Sequence, residues 1–159
     1  MATPVDSRRA FDYAARALSS RDRTVAEMRA FLERKRVEPA MIDEVVADLT
    51  ETGTLDDADY ARRFAEDKRS LAGWGSQRIE RELERRGVAA NHIDAAVGAL
   101  GTDNERRTAL DLLTQRFPRG CPDDRERDRA WRLLVRRGFE PDLSYEVIRA
   151  HERGLGEAA

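Results

Sequence analysis

LDDADYARRFAEDKRSLAGWGSQRIERELERRGV, residues 55–88, reads as two amphipathic helices broken at Gly73-Trp74-Gly75. Asp56 stands where a helix N-cap belongs, and Tyr60, Ala61, Phe64 and Leu71 follow at helical spacing. Ser76 is placed to cap the second helix, which carries Ile79 and Leu83 one turn apart. Gly87 supplies a stop in the left-handed conformation that a Cβ disfavours. A third helix follows through His92, Ile93, Ala96, Val97 and Leu100.

The same order of elements lies on both sides. Upstream, apolar spacing begins with Ala10/Ala14 and Phe11/Ala15, and SSRDR interrupts it. Thr24 with Glu27 forms a capping box before Met28, Phe31 and Leu32, and Pro39 opens a helix bearing Ile42, Val45, Val46 and Leu49, ended by Gly53. Downstream, a helix is expected over residues 103–115, a second from Asp123 with Glu126 at capping-box distance, and a third opened by Pro141. Leu32, Leu83 and Leu134 are 51 residues apart, as are Val37, Val88 and Phe139. A basic pair recurs beside them as Arg34-Lys35, Arg85-Arg86 and Arg136-Arg137. Helical units repeating at this period bury their apolar surface against neighbours.

The expected fold is therefore all-α, an elongated, curved array of three tandem three-helix repeats. The repeats span residues 8–54, 55–101 and 102–151, between flexible tails at 1–7 and 152–159. No segment alternates with period two. Of the 159 residues 40% are hydrophobic and 38% charged, which suits a thin array better than one thick globule. The net charge of −2 is the remainder of 29 basic and 31 acidic residues, so a partner must be recognised through local patches.

Chemistry-bearing constellations are sparse. Glu51, Asp56, Asp57 and Asp59 crowd one helix start, where carboxylates cap amides and complement the helix dipole; a magnesium site would need acids converging from separate elements. The single cysteine, Cys121, forms no internal disulfide, and His92 and His151 lack companions at metal-ligand spacing. Phosphate-cradling and nucleophile-elbow motifs are missing. The reading is a protein without catalytic residues, metal or cofactor, located in the cytoplasm and free of membrane segments.

The arginines carry more information. At about 100° per residue, Arg78, Arg81 and Arg85 fall within roughly 60° of one another, opposite Ile79 and Leu83. Arg62, Arg63, Lys68 and Arg69 decorate the preceding helix. With Arg34, Lys35, Arg86, Arg136 and Arg137 they form the candidate partner surface, suited to phosphates or acidic side chains. The bland reading is a solvated face, since Arg78/Glu82 and Glu82/Arg86 are spaced for weak helical ion pairs. Gly73, Trp74 and Gly75 are read as a structural hinge, with the indole packed over it in preference to an exposed ring that stacks on a base or fills a partner's pocket, and Trp131 as core.

The middle unit, with Leu55-Asp56-Asp57, Ala61 to Phe64, Gly73-Trp74-Gly75, Arg78-Ile79, Glu82-Leu83 and Arg86-Gly87-Val88, resembles the bacterial RecX regulatory proteins. ALSSRDRTVAEMRAFLERKRV is similar to the opening of that family, and LLVRRGF matches more loosely. The resemblance implies three tandem three-helix repeats and a non-enzymatic regulator; a monomer is expected. It implies that the partner is RecA, bound as its filament on DNA in the filament's groove, with ATPase, strand exchange and coprotease activity suppressed. Weak direct contact with DNA is a further expectation. Arg36 departs from the pattern by standing where the other units have Gly87 and Gly138. A direct DNA-binding helical module and a helical adaptor for another protein are the alternative readings.

Overall fold

A computed structural model describes residues 6–158. Among these residues the chain forms nine helices: α1 (Ser7–Ser20), α2 (Val25–Arg34), α3 (Pro39–Glu51), α4 (Asp57–Ser70), α5 (Ser76–Arg85), α6 (Ala90–Leu100), α7 (Thr102–Arg116), α8 (Asp124–Arg136) and α9 (Pro141–Ala158). No strand occurs among them. The expectation of an all-α chain of tandem three-helix domains holds.

The 51-residue recurrence now has a physical cause. The α2, α5 and α8 helices end in the same motif, in which two amides beyond the helix reach back to carbonyls that the helix leaves open. The amides of Arg36, Gly87 and Gly138 donate to Glu33, Glu84 and Val135, and those of Val37, Val88 and Phe139 donate to Leu32, Leu83 and Leu134. The two recurrent apolar positions are thus the residue that gives the carbonyl and the residue that gives the amide. All six are buried. The residue between them must be left-handed: φ is +79° at Gly87, +93° at Gly138 and +59° at Arg36. Arg36 adopts the same ending as the glycines, and its Cβ there costs about 1–2 kcal/mol.

Two compact units divide the chain, one comprising residues 1–61 and 83–93, the other residues 62–82 and 94–159. In the first, α1, α2 and α3 pack mutually around Ala10, Ala14, Met28, Leu32, Ile42 and Val45. In the second, α9 packs on both α7 and α8 around Leu113, Leu134, Phe139 and Val147. Each fully buried leucine contributes about 1.5–3 kcal/mol.

Helix starts follow the sequence in most places. Thr24 and Glu27 form the reciprocal capping box, Asp56 accepts from the Asp59 amide at 3.0 Å, Asp123 accepts from the Glu126 amide at 2.8 Å, and Pro39 opens α3. Ser76 does not cap α5 with its own hydroxyl. The helix begins at Ser76 itself, whose amide is taken by Glu105 at 2.8 Å.

The two ends also differ from expectation. Asp6 caps α1 by accepting from the Arg9 amide, so Ser7 is helical, while residues 1–5 of the expected tail lie outside the described residues. At the other end α9 continues to Ala158 through Gly154 and Gly156, where a loose tail was expected. Long-range anchors explain the extension. The His151 Nε2–H donates to the Phe117 carbonyl at 2.7 Å, Glu152 holds Arg127 at 2.9 Å, and Leu155 lies beside Gly120.

Candidate partner-binding surface

The turn Gly73-Trp74-Gly75 is built from α4 outward. Gly73, at φ +64°, donates to the Arg69 carbonyl, and Trp74 to that of Lys68, which closes the end of α4. Arg69 then turns back across the turn. Its Nε donates to the Trp74 carbonyl at 2.7 Å, one terminal nitrogen to the Ser76 hydroxyl at 2.9 Å, and the other to Asn104 at 3.2 Å. Glu105 lies 3.8 Å away and supplies the counter-charge. Burial lowers the Arg69 pKa and Glu105 acts in the opposite sense.

Arg69, expected on the partner surface, is therefore an interior residue at 3% exposure. Sequence placed it on a highly charged helix and gave no sign of Glu105, its partner 36 residues on.

Trp74 is half-buried. The Arg78 guanidinium lies 4.0 Å from its ring centroid, the Lys68 ammonium 5.0 Å, and Phe64 meets it edge-on at 6.2 Å. These cation–π contacts are each worth about 0.5–2 kcal/mol. The expected packing of the indole over the turn is correct, and the covering atoms are cationic as well as apolar. Trp131 is half-buried, with its ring tilted against exposed Tyr145 at 5.8 Å.

Equivalent joints fasten both compact units. In the first, the Thr24 hydroxyl donates to the Arg86 carbonyl at 2.7 Å, and Asp57 accepts from the Val25 amide at 2.9 Å. In the second, 51 residues on, the Gly75 amide donates to the Arg137 carbonyl at 2.8 Å and the Ser76 amide to a carboxylate, that of Glu105, which stands 48 residues after Asp57. In both, the N-terminus of one helix receives a carboxylate from the first turn of α4 or α7, where negative charge complements the dipole. The left-handed glycine allows the approach: a Cβ on Gly87 would strike Ala26, and one on Gly138 would strike Arg78. Gly75 is closed in by the backbone of Gly138 and Phe139. The turn read as a hinge is thus fastened on both sides, with the Arg137 guanidinium also donating to the Ala72 carbonyl at 2.9 Å.

This geometry divides the recurring basic pair. Arg86 is half-buried and donates to the Tyr60 hydroxyl at 2.6 Å, and Arg137 is engaged at Ala72. Lys35 is exposed and lies over the rings of Tyr13 and Phe31 at 5.5 and 5.6 Å. Arg34, Arg85 and Arg136, the first members of each pair, are exposed. So are Arg62, Arg63 and Arg81, while Lys68 and Arg78 are drawn partly down onto Trp74. In the second and third pairs the second member is used in packing, and in all three the first member is exposed.

Two residues escaped the sequence reading. Arg129 and Arg132, with the already singled-out Arg136, stand on α8 51 residues after Arg78, Arg81 and Arg85, so the whole three-arginine stripe recurs. Extending the register comparison from the pair to the helix would have found it. With Arg116, Phe117 and Leu133 they line a cleft of about 340 Å³. Cys121 is buried, and that burial together with Glu152 and Glu126 pushes its thiol pKa up, so it is held as a thiol.

Three-helix domains in tandem, fastened through one repeated joint and faced with arginine stripes, define a helical-repeat protein. The model of the first RecX three-helix domain matches residues 10–49, and that of the second matches residues 56–97. The chain is 39% identical over 137 residues to the regulatory protein RecX of Deinococcus radiodurans, covering 86% of this chain and 65% of that one. It is 32% identical over 143 residues to the regulatory protein RecX of Mycolicibacterium vanbaalenii, covering 85% and 78%. The RecX crystal structure from Lactobacillus salivarius superposes with a TM-score of 0.82 at 19% identity, over 92% of this chain and 96% of that one. The chain belongs to the RecX family of regulatory proteins. Among the described residues no helix is long and apolar enough to cross a membrane.

Proposed function

We propose that the chain binds the RecA nucleoprotein filament along its groove and restrains RecA's ATPase, strand exchange and coprotease activity, and so modulates recombination, repair and the SOS response. The observation that carries this reading is the match to both RecX three-helix models in tandem. The exposed first members of the basic pairs support it, because α2 and α5, held by carboxylate-capped joints, present Arg34 and Arg85 without further ordering, and Arg136 is exposed at the end of α8. Many modest contacts along linked repeats add, because each engaged repeat raises the effective concentration of the next. The protein acts as a monomeric, non-enzymatic regulator in the cytoplasm, built as repeats over residues 8–54, 55–101 and 102–151.

Co-sedimentation with RecA assembled on single-stranded DNA tests the reading. The wild-type chain pellets with filaments, and the variant carrying Arg78→Glu, Arg81→Glu and Arg85→Glu pellets less at equal helicity. Failure of the wild type to pellet refutes the partner. Equal pelleting by the folded variant removes the α5 stripe from the contact.

A further inference from the structure

We infer that the cleft between the end of α7 and the outer face of α8 is a binding site for phosphate groups. The site is distinct from the joints and from the α5 stripe. Arg129, Arg132 and Arg136 fall within about 60° of one another on α8, and Arg116 faces them from the last position of α7. Phe117 and Leu133 supply the apolar part of the lining. No acidic residue lines this cleft among the described residues, although the chain as a whole has more acids than bases.

The backbone beneath the cleft is fixed. The Phe117 amide donates to the Leu113 carbonyl at 2.7 Å and the Phe117 carbonyl accepts from His151, which sets where α7 ends and hence where Arg116 projects. Arg129 is held by Glu126 at 2.8 Å and Arg132 by Asp128 at 2.6 Å, both as neighbours on their own exposed helix. Such pairs yield readily to a stronger anion. Arg116 and Arg136 have no acidic partner among the described residues.

Four arginines lining one cleft favour phosphate over carboxylate. One arginine fork satisfies both oxygens of a carboxylate, whereas a phosphate presents further oxygens that several forks share. The apolar lining suits the flat face of a base or sugar attached to that phosphate. The shared chemistry is a phosphodiester or polyphosphate, presented by a nucleic-acid strand or by a nucleotide.

Binding is measured without RecA, so the outcome is independent of the proposed regulatory partner. The full-length protein is titrated into a fluorescein-labelled oligothymidylate and, separately, into sodium tripolyphosphate in a calorimeter. The Arg116→Glu/Arg132→Glu variant binds about tenfold or more weakly, and for the strand its salt slope is shallower by about 1.4. Circular dichroism checks its fold, and Arg116→Gln/Arg132→Gln gives the same loss without charge reversal. Strand binding that these variants weaken assigns the site to a nucleic-acid backbone, and tripolyphosphate binding alone assigns it to a small polyphosphate. Equal binding by wild type and variants, no binding of either probe, or displacement of the probe by poly-glutamate as effectively as by tripolyphosphate overturns the proposal.

Discussion

The Gly75 amide donates to the Arg137 carbonyl at 2.8 Å where two backbones meet so closely that neither Gly75 nor Gly138 has room for a Cβ. In the other compact unit the same position holds Thr24, which reaches the Arg86 carbonyl through its hydroxyl. One joint has been built twice from different donors, with the glycine after each arginine permitting the approach.

Gly138→Ala tests that joint. It combines left-handed strain with a collision against Arg78, and should cost about 2–4 kcal/mol. Gly53 is also left-handed, at φ +73°, but nothing lies near its missing Cβ, so Gly53→Ala should cost only about 1 kcal/mol. Urea denaturation of the two variants measures the difference, and equal costs would reduce the joint to backbone strain alone.

Arg69→Met should destabilise the protein by about 3–5 kcal/mol, since it strips a buried charge pair of one member and leaves the Trp74 carbonyl without its donor. Arg69→Lys restores the charge without the planar fork, and should recover only part of that loss. Thermal melts of both variants check the order.

Replacing Arg36 acts in the opposite direction. The residue is exposed and sits at φ +59°, so Arg36→Gly removes left-handed strain while loosening the unfolded chain, a net gain of about 0.5–1 kcal/mol. A loss of stability on chemical denaturation would show that the arginine side chain contributes more than its strain costs.

Much of the fold was legible because it depends on local chemistry. Thr24/Glu27, Pro39, Asp123 and the leucines at the 51-residue period mark helix starts and ends that depend on residues a few positions away. The joints were not legible, because Asp57 and Glu105 serve amides 32 and 29 residues away in the chain. The same limit hid the burial of Arg69 and the long reach of α9, both set by partners distant in sequence. Of the basic pairs placed on the candidate surface, Arg34, Arg85 and Arg136 are exposed. The companion residues Arg86 and Arg137 recur because packing uses them, a cause that counting cannot separate from partner contact.

The most direct measurement of the central claim is DNA-dependent ATP hydrolysis by RecA, followed as this chain is added at increasing concentration. The account predicts a steady fall in rate that saturates as filament sites fill, and a weaker fall with the Arg78→Glu/Arg81→Glu/Arg85→Glu variant. Hydrolysis that stays unchanged at concentrations well above that of RecA would contradict it.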